Sequence, residues 1–366
     1  MTGLLLLAGL IAGLVLLTTL AHEFTIWRIE LALKDPSPAK RIAALDRLGA
    51  MRPRKTWHKE PFTLDDRSVA AMQGNWGTFA PPIMARGLRD QNPDVRMRAA
   101  FYLSSFRLLP ERTLPVLTAF LSDEDEKRRA EAAERIGWFE GAAAPAAEAL
   151  GRVLEDPSAA VRKNTANSLR RMGPDAKAAL PALLRALLGL DEGMSRTAAN
   201  AITGSADMAE TTIDALNRSL AGSDPIERFD AAFALALIAG PSHVDKSAPD
   251  GFVSLFPAPE AVLPVLAGFL TAEDLVRRRR AADGLRMLHS RGASQIGALV
   301  AAMQDNGWPE RWRAAYALDW MGKAGTDAIV EHKEVVIAAL SAAQAASAPD
   351  EHKPYALKLL KRLQER

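Results

Sequence analysis

Residues Val161–Gly173 read VRKNTANSLRRMG, and the same frame returns as VRMRAAFYL at Val95–Leu103 and as RWRAAYALDWMG at Arg311–Gly322. In each string the apolar positions recur three or four residues apart, the period of an amphipathic helix. Aligning the chain on the Leu169 position gives the anchors Leu45, Leu103, Ala133, Leu169, Ile202, Leu235, Leu285, Leu318 and Leu360, separated by 58, 30, 36, 33, 33, 50, 33 and 42 residues. A spacing that keeps returning to 33 marks an array of structural repeats. A second apolar segment precedes each anchor helix, as at Thr113–Leu121, Ala144–Leu154, Ala176–Leu188, Glu210–Leu220, Ala261–Leu270 and Gln295–Met303. The repeating unit is a pair of helices.

Short polar strings divide the two helices of a pair: DQNPD at Asp90–Asp94, EDPS at Glu155–Ser158 and GSDP at Gly222–Pro225. Proline after Asp or Asn ends one helix, and Asp, Asn or Ser caps the next. With Leu-Pro at Leu114-Pro115, Leu180-Pro181 and Leu263-Pro264, the pattern resembles the HEAT repeat family, in particular short bacterial repeats similar to those of phycobilisome lyases. The resemblance covers roughly residues 24–364. It implies an all-α, right-handed α-α superhelix, a HEAT-like α-solenoid of about nine helix pairs forming one domain. A single pair cannot bury its own apolar face, so stability comes from stacking on neighbours. The matching residues are those that pack helices together, so the resemblance carries the fold and not an activity.

Gly3–Ala21 (GLLLLAGLIAGLVLLTTLA) holds no charge and would reach about 28 Å as a helix, close to the ~30 Å bilayer core. It reads as an N-terminal transmembrane helix, because a cleaved signal peptide would want a basic start and a small-residue cleavage site. Arg28, Lys34, Lys40, Arg41 and Arg47 follow it closely and no basic residue precedes it, so the positive-inside rule places the repeats in the cytoplasm, at the inner membrane. A periplasmic array is the alternative, and the lack of cysteine fits both. Within this segment Gly9 and Gly13 form a small-residue face suited to close helix approach. Phe24–Lys34 already reads as the first helix of repeat one and Ala39–Gly49 as its second, which leaves no linker between membrane and array.

Two stretches interrupt the spacing. Residues 52–80 mix basic and aromatic side chains, and residues 240–260 combine four prolines with the apolar Phe252, Val253, Leu255 and Phe256. Phe252 and Phe256 are expected either to pack back on the array or to form a docking patch, since long loops tend to carry function.

Six and two residues before the anchor, most repeats should show polar side chains on the concave face, as Lys163 and Asn167 do. Trp312 and Tyr316, Phe229 and Phe233, and Met97 and Phe101 hold those positions instead. Exposed aromatics anchor protein partners. These six, with Phe252 and Phe256, are the predicted protein-binding residues. The Arg277–Arg280 run and the acidic Ser122–Glu126 segment read as solvated faces and helix starts.

A formal net charge of +2 lacks the basic excess of a dedicated nucleic-acid binder. No P-loop, nucleophile elbow or cysteine metal site is present, and the six histidines show no ligand spacing, so no catalytic residue, metal or cofactor is expected. The sequence is therefore read as a membrane-tethered scaffold or assembly factor whose repeat surface holds a protein, expected to be a membrane-complex subunit. The alternative is a chromophore-lyase-like or other cofactor-handling enzyme, which rests on the family resemblance alone.

Overall fold

The structure, a computed structural model, describes residues 26–50, 79–189, 191–240, 243–244, 252–253, 256, 258–345 and 353–364. The expected membrane segment with Gly9 and Gly13 lies outside the described residues, as does nearly all of 52–80. Among the described residues no helix is long and apolar enough to cross a membrane.

The chain divides after Asp175 into two compact units. The first holds helix pairs α1 (26–32) with α2 (Pro38–Ala50), α3 (79–87) with α4 (Pro93–Ser105), α5 (Pro110–Phe120) with α6 (Glu126–Gly137), and α7 (Ala147–Val153) with α8 (Ala159–Met172). The second holds α9 (Leu180–Leu188) with α10 (Glu192–Ile202), α11 (Ala206–Leu220) with α12 (Pro225–Ile238), α13 (Val262–Gly268) with α14 (Leu275–Met287), α15 (Ile296–Gln304) with α16 (Trp312–Asp319), then a lone α17 (Gly322–Glu331), and α18 (Lys333–Ala345) with α19 (Lys353–Gln364). The extra α17 accounts for the long step from Leu318 to Leu360. Every anchor from Leu45 to Leu360 sits in its own second helix at 1% exposure or less. Stacked helix pairs of this kind are a HEAT-like repeat fold.

Local chemistry fixes the helix ends. Asn92 accepts hydrogen bonds from the backbone of Asp94 and Val95 at 2.9 and 3.2 Å, with Pro93 as the first helical residue. Asp224 caps α12 on Ile226 and Glu227 in the same way, again ahead of a proline. Four residues past the anchor the backbone turns left-handed at Arg107, Gly173, His289 and Gly322, with φ of 55°, 59°, 51° and 63°. That explains the terminal glycine of the motif, because only glycine enters this region without steric cost. Several first helices open with a 3-10 turn, at Glu140–Ala146 before α7 and His289–Gln295 before α15, and are shorter than the sequence suggests.

A second regularity ties neighbouring repeats. Arginine six residues after the turn aspartate donates Nη1 to the two turn carbonyls: Arg41 to Asp35 and Pro36, Arg96 to Asp90 and Gln91, Arg129 to Asp123 and Glu124, Arg162 to Asp156 and Pro157. Arg41 also grips Asp90, and Arg129 grips Asp156, each through two hydrogen bonds to the next turn. Asp305 receives Arg278 in the second unit. These planar forks satisfy carbonyls that helix termination leaves open, and they set the step between repeats.

Residues 240–260 are not helical where described until the next pair approaches. Instead His243–Val244 pairs antiparallel with Phe252–Val253, a two-residue ladder that the repeat pattern did not announce.

Candidate protein-binding surface

Packing between adjacent second helices places the predicted aromatic contacts. Phe229 and Phe233 are fully buried, Trp312 and Tyr316 nearly so, and Met97 is buried as well. This corrects the expectation of an exposed concave stripe. Long side chains of the neighbouring helix α14 cover it: the Arg280 guanidinium lies 4.1 Å from the Phe233 ring and Arg286 lies 5.7 Å from Tyr316, while Arg313, next to Trp312 on α16 itself, sits 4.8 Å from that indole. Phe229 stacks on Phe269 at 4.3 Å. The arginine run on α14 is therefore not a solvated face, since Arg278 and Arg280 are buried and Arg280 lies 3.6 Å from Asp230. Arg313 donates to Asp283 at 2.6 Å within the same layer. Phe252 enters the β ladder, and Phe256 is half-buried.

Phe101 is the exception. It stays half-buried on the second-helix face of the first unit and forms the centre of a series that the sequence reading missed. The Arg98 guanidinium lies 5.8 Å from its ring and that of Arg135 lies 4.1 Å away. Arg135 also faces Trp138 at 5.2 Å, and Arg171 closes the series 5.7 Å from the same indole. Arg98–Phe101–Arg135–Trp138–Arg171 thus alternates cation and ring across α4, α6 and α8. Each contact of this kind contributes about 0.5–2 kcal/mol, rising with desolvation.

Repeat geometry builds the series. Arg135 and Arg171 both stand two residues past their anchors, Ala133 and Leu169, so the step between repeats carries one arginine onto the other's position. Close approach of α6 and α8 makes the step short. A Cβ on Gly137 would meet the Cα of Ser168 at 2.6 Å, while Ser168 Oγ donates to the Ala133 carbonyl at 2.7 Å and Asn164 Nδ2 to that of Ala130 at 3.0 Å. The recurring arginine was the available signal; its stacking on a ring from the neighbouring helix depends on distances that spacing alone does not give.

Charge on this face is unevenly compensated. Arg98 and Arg135 have only loose partners, Asp46 at 3.5 Å and Glu131 at 3.6 Å, whereas Arg171 is exposed and makes no ion pair among the described residues. Half-exposed rings flanked by undercompensated guanidinium groups suit a protein partner that supplies carboxylates and apolar side chains. Among the described residues no group of three or more acidic or histidine side chains could hold a metal ion.

The family of HEAT repeats matches residues 80–150, which include Phe101, Arg135 and Trp138. No curated protein matches the chain. Among solved structures, Kap121p bound to Pho4p shares 13% identity with a TM-score of 0.58, over 87% of this chain and 36% of that one. A Kap121p variant gives 13% and 0.57, over 89% and 36%. The chain thus spans about a third of Kap121p, and the likeness establishes the HEAT-like fold. The complex of CpcE and CpcF of phycocyanin lyase from Nostoc sp. PCC7120 shares 18% identity over 85% of this chain and 99% of that one, at a TM-score of 0.30. A likeness of that size lends no weight to a lyase reading.

Proposed function

We propose that this chain is a protein-binding repeat scaffold, tethered to a membrane by Gly3–Ala21, with its repeats on the cytoplasmic side and a subunit of a membrane complex as its partner. The observation that carries the binding reading is the alternating arginine and aromatic series across α4, α6 and α8. Stacking within the fold accounts for the well-covered Arg135, whereas the half-buried Phe101 and Trp138 rings and the outer Arg98 and Arg171 remain for a partner to desolvate. Kap121p with Pho4p supports the reading only as an example of a HEAT-like array engaging a protein. The uncharged N-terminal stretch supports the tether, which would raise the effective concentration of array and partner without adding contacts. Site-specific photocrosslinking tests it. A crosslinker at Arg171 should capture one defined protein in intact membranes, and one at Arg152 on α7 should not; equal capture at both would sink the proposal.

A further inference from the structure

The second unit carries a separate groove whose chemistry differs from that of the arginine and aromatic series. Between the end of α16 and α19 lies a cavity of about 560 Å³, floored by Tyr316 and Leu359 and walled by Trp320 and Tyr355. Its size is that of a pocket for one or two large side chains. The rings are ordered relative to one another: Tyr316 and Tyr355 are nearly parallel, 14° apart in plane with centroids 6.3 Å apart, and Trp320 stands edge-on to Tyr316 at 6.2 Å. Tyr316 is buried, whereas Tyr355 is 60% exposed and leaves most of its ring open to the groove's surroundings.

Cations surround this aromatic wall. Among the described residues, Lys358, Lys361 and Arg362 line the groove together with one carboxylate, Asp319. Asp319 is already matched, because Arg362 Nη2 donates to it at 2.7 Å, and that bond also fixes the guanidinium at the rim. Lys358 is exposed and makes no ion pair among the described residues. The groove is therefore apolar and aromatic at its base and net positive at its edge.

We propose that this groove docks an acidic peptide segment that inserts one aromatic side chain. The inserted ring would lie against Tyr355 and Trp320, and a flanking carboxylate would meet Lys358. Charge complementarity selects this occupant over a basic or purely apolar one, and an edge held by lysines suits carboxylates without imposing the fixed fork geometry of arginine.

The test uses the full-length chain in detergent and three labelled pentapeptides: Glu-Glu-Phe-Glu-Glu, Glu-Glu-Ala-Glu-Glu and Lys-Lys-Phe-Lys-Lys, followed by fluorescence anisotropy. The first should bind saturably, and Tyr355→Ala or Lys358→Glu should weaken it roughly tenfold. Both substitutions are at exposed positions, and an unchanged thermal melt confirms that the fold is intact. The alanine peptide should bind several-fold more weakly and the lysine peptide not measurably. Phe101→Ala should leave this binding unchanged, which separates the groove from the series on α4, α6 and α8. The proposal is overturned by absence of saturable binding, by binding that survives both substitutions, or by full competition from adenosine monophosphate at concentrations where the peptide is half-bound, which would make the groove a nucleotide site.

Discussion

The guanidinium of Arg135 lies 4.1 Å from the ring of Phe101, one helix pair away, and 5.2 Å from Trp138 on its own helix end. One cation thereby joins the aromatic groups of two repeats. Its side chain is only 12% exposed, so the contact is largely desolvated and near the upper end of what such pairs contribute. Arg135→Ala should lower stability by about 1–2 kcal/mol, and Arg135→Lys should recover only part of it, because an ammonium cannot stack as a plane. Urea midpoints at constant slope would report this; an unchanged midpoint for the alanine variant would show that the stacking is incidental.

The turn aspartates make stability depend on acid. Burial raises the Asp156 carboxyl, but the hydrogen bonds from Arg129 and from the Ser158 backbone outweigh it and hold the group below its ordinary value; Asp90 is held down in the same manner by Arg41 and Asn92. A carboxyl depressed in the folded state contributes stability that is present above its unfolded pKa, about 3.9, and is lost as pH falls through the lower folded value. The urea midpoint should therefore drop below about pH 4. Asp156→Asn should cost about 1–3 kcal/mol at neutral pH and flatten that drop.

Gly137 is required by the close approach of α6 to α8. Gly137→Ala brings a methyl group within 2.6 Å of Ser168 Cα, a backbone atom that cannot rotate away. Overpacking of this kind typically costs about 1–3 kcal/mol. Pairing it with Ser168→Gly should restore only part of this, since that change removes the contacts to Oγ and Cβ but leaves the one to Cα, and a full rescue would contradict the packing described.

Trp312 belongs to the core. Trp312→Ala should lower stability by about 3–5 kcal/mol, the range for truncating a buried large aromatic side chain. A melting temperature equal to wild type would return this residue to the surface.

Much of the architecture was readable because stacking imposes one requirement on every repeat. An anchor that must be buried against the next pair has to be apolar, and all nine positions from Leu45 to Leu360 are. The Asp-Pro and Asn-Pro turns were legible for a similar reason, since helix ends need a capping oxygen and a residue that cannot continue. The positions six and two residues before the anchor were not. Whether Phe233 or Tyr316 faces solvent depends on what reaches over it, and Arg280 and Arg286 do so from the adjacent helix. A run of four arginines reads as solvated until the phenyl rings beneath it are in place. Phe101 shares its repeat position with Phe233 and Tyr316 and differs only in the depth to which its neighbours cover it.

The binding account rests most directly on the series from Arg98 to Arg171. The decisive measurement is quantitative recovery of crosslinked protein from native membranes by the full-length chain, compared with the double variant Phe101→Ala with Arg171→Glu at equal abundance and with circular dichroism showing that the variant is folded at the assay temperature. We expect one membrane protein in stoichiometric yield with the native chain and at least a tenfold lower yield with the variant, as for loss of a central anchor and a rim charge. Equal recovery of that protein by both would contradict the account.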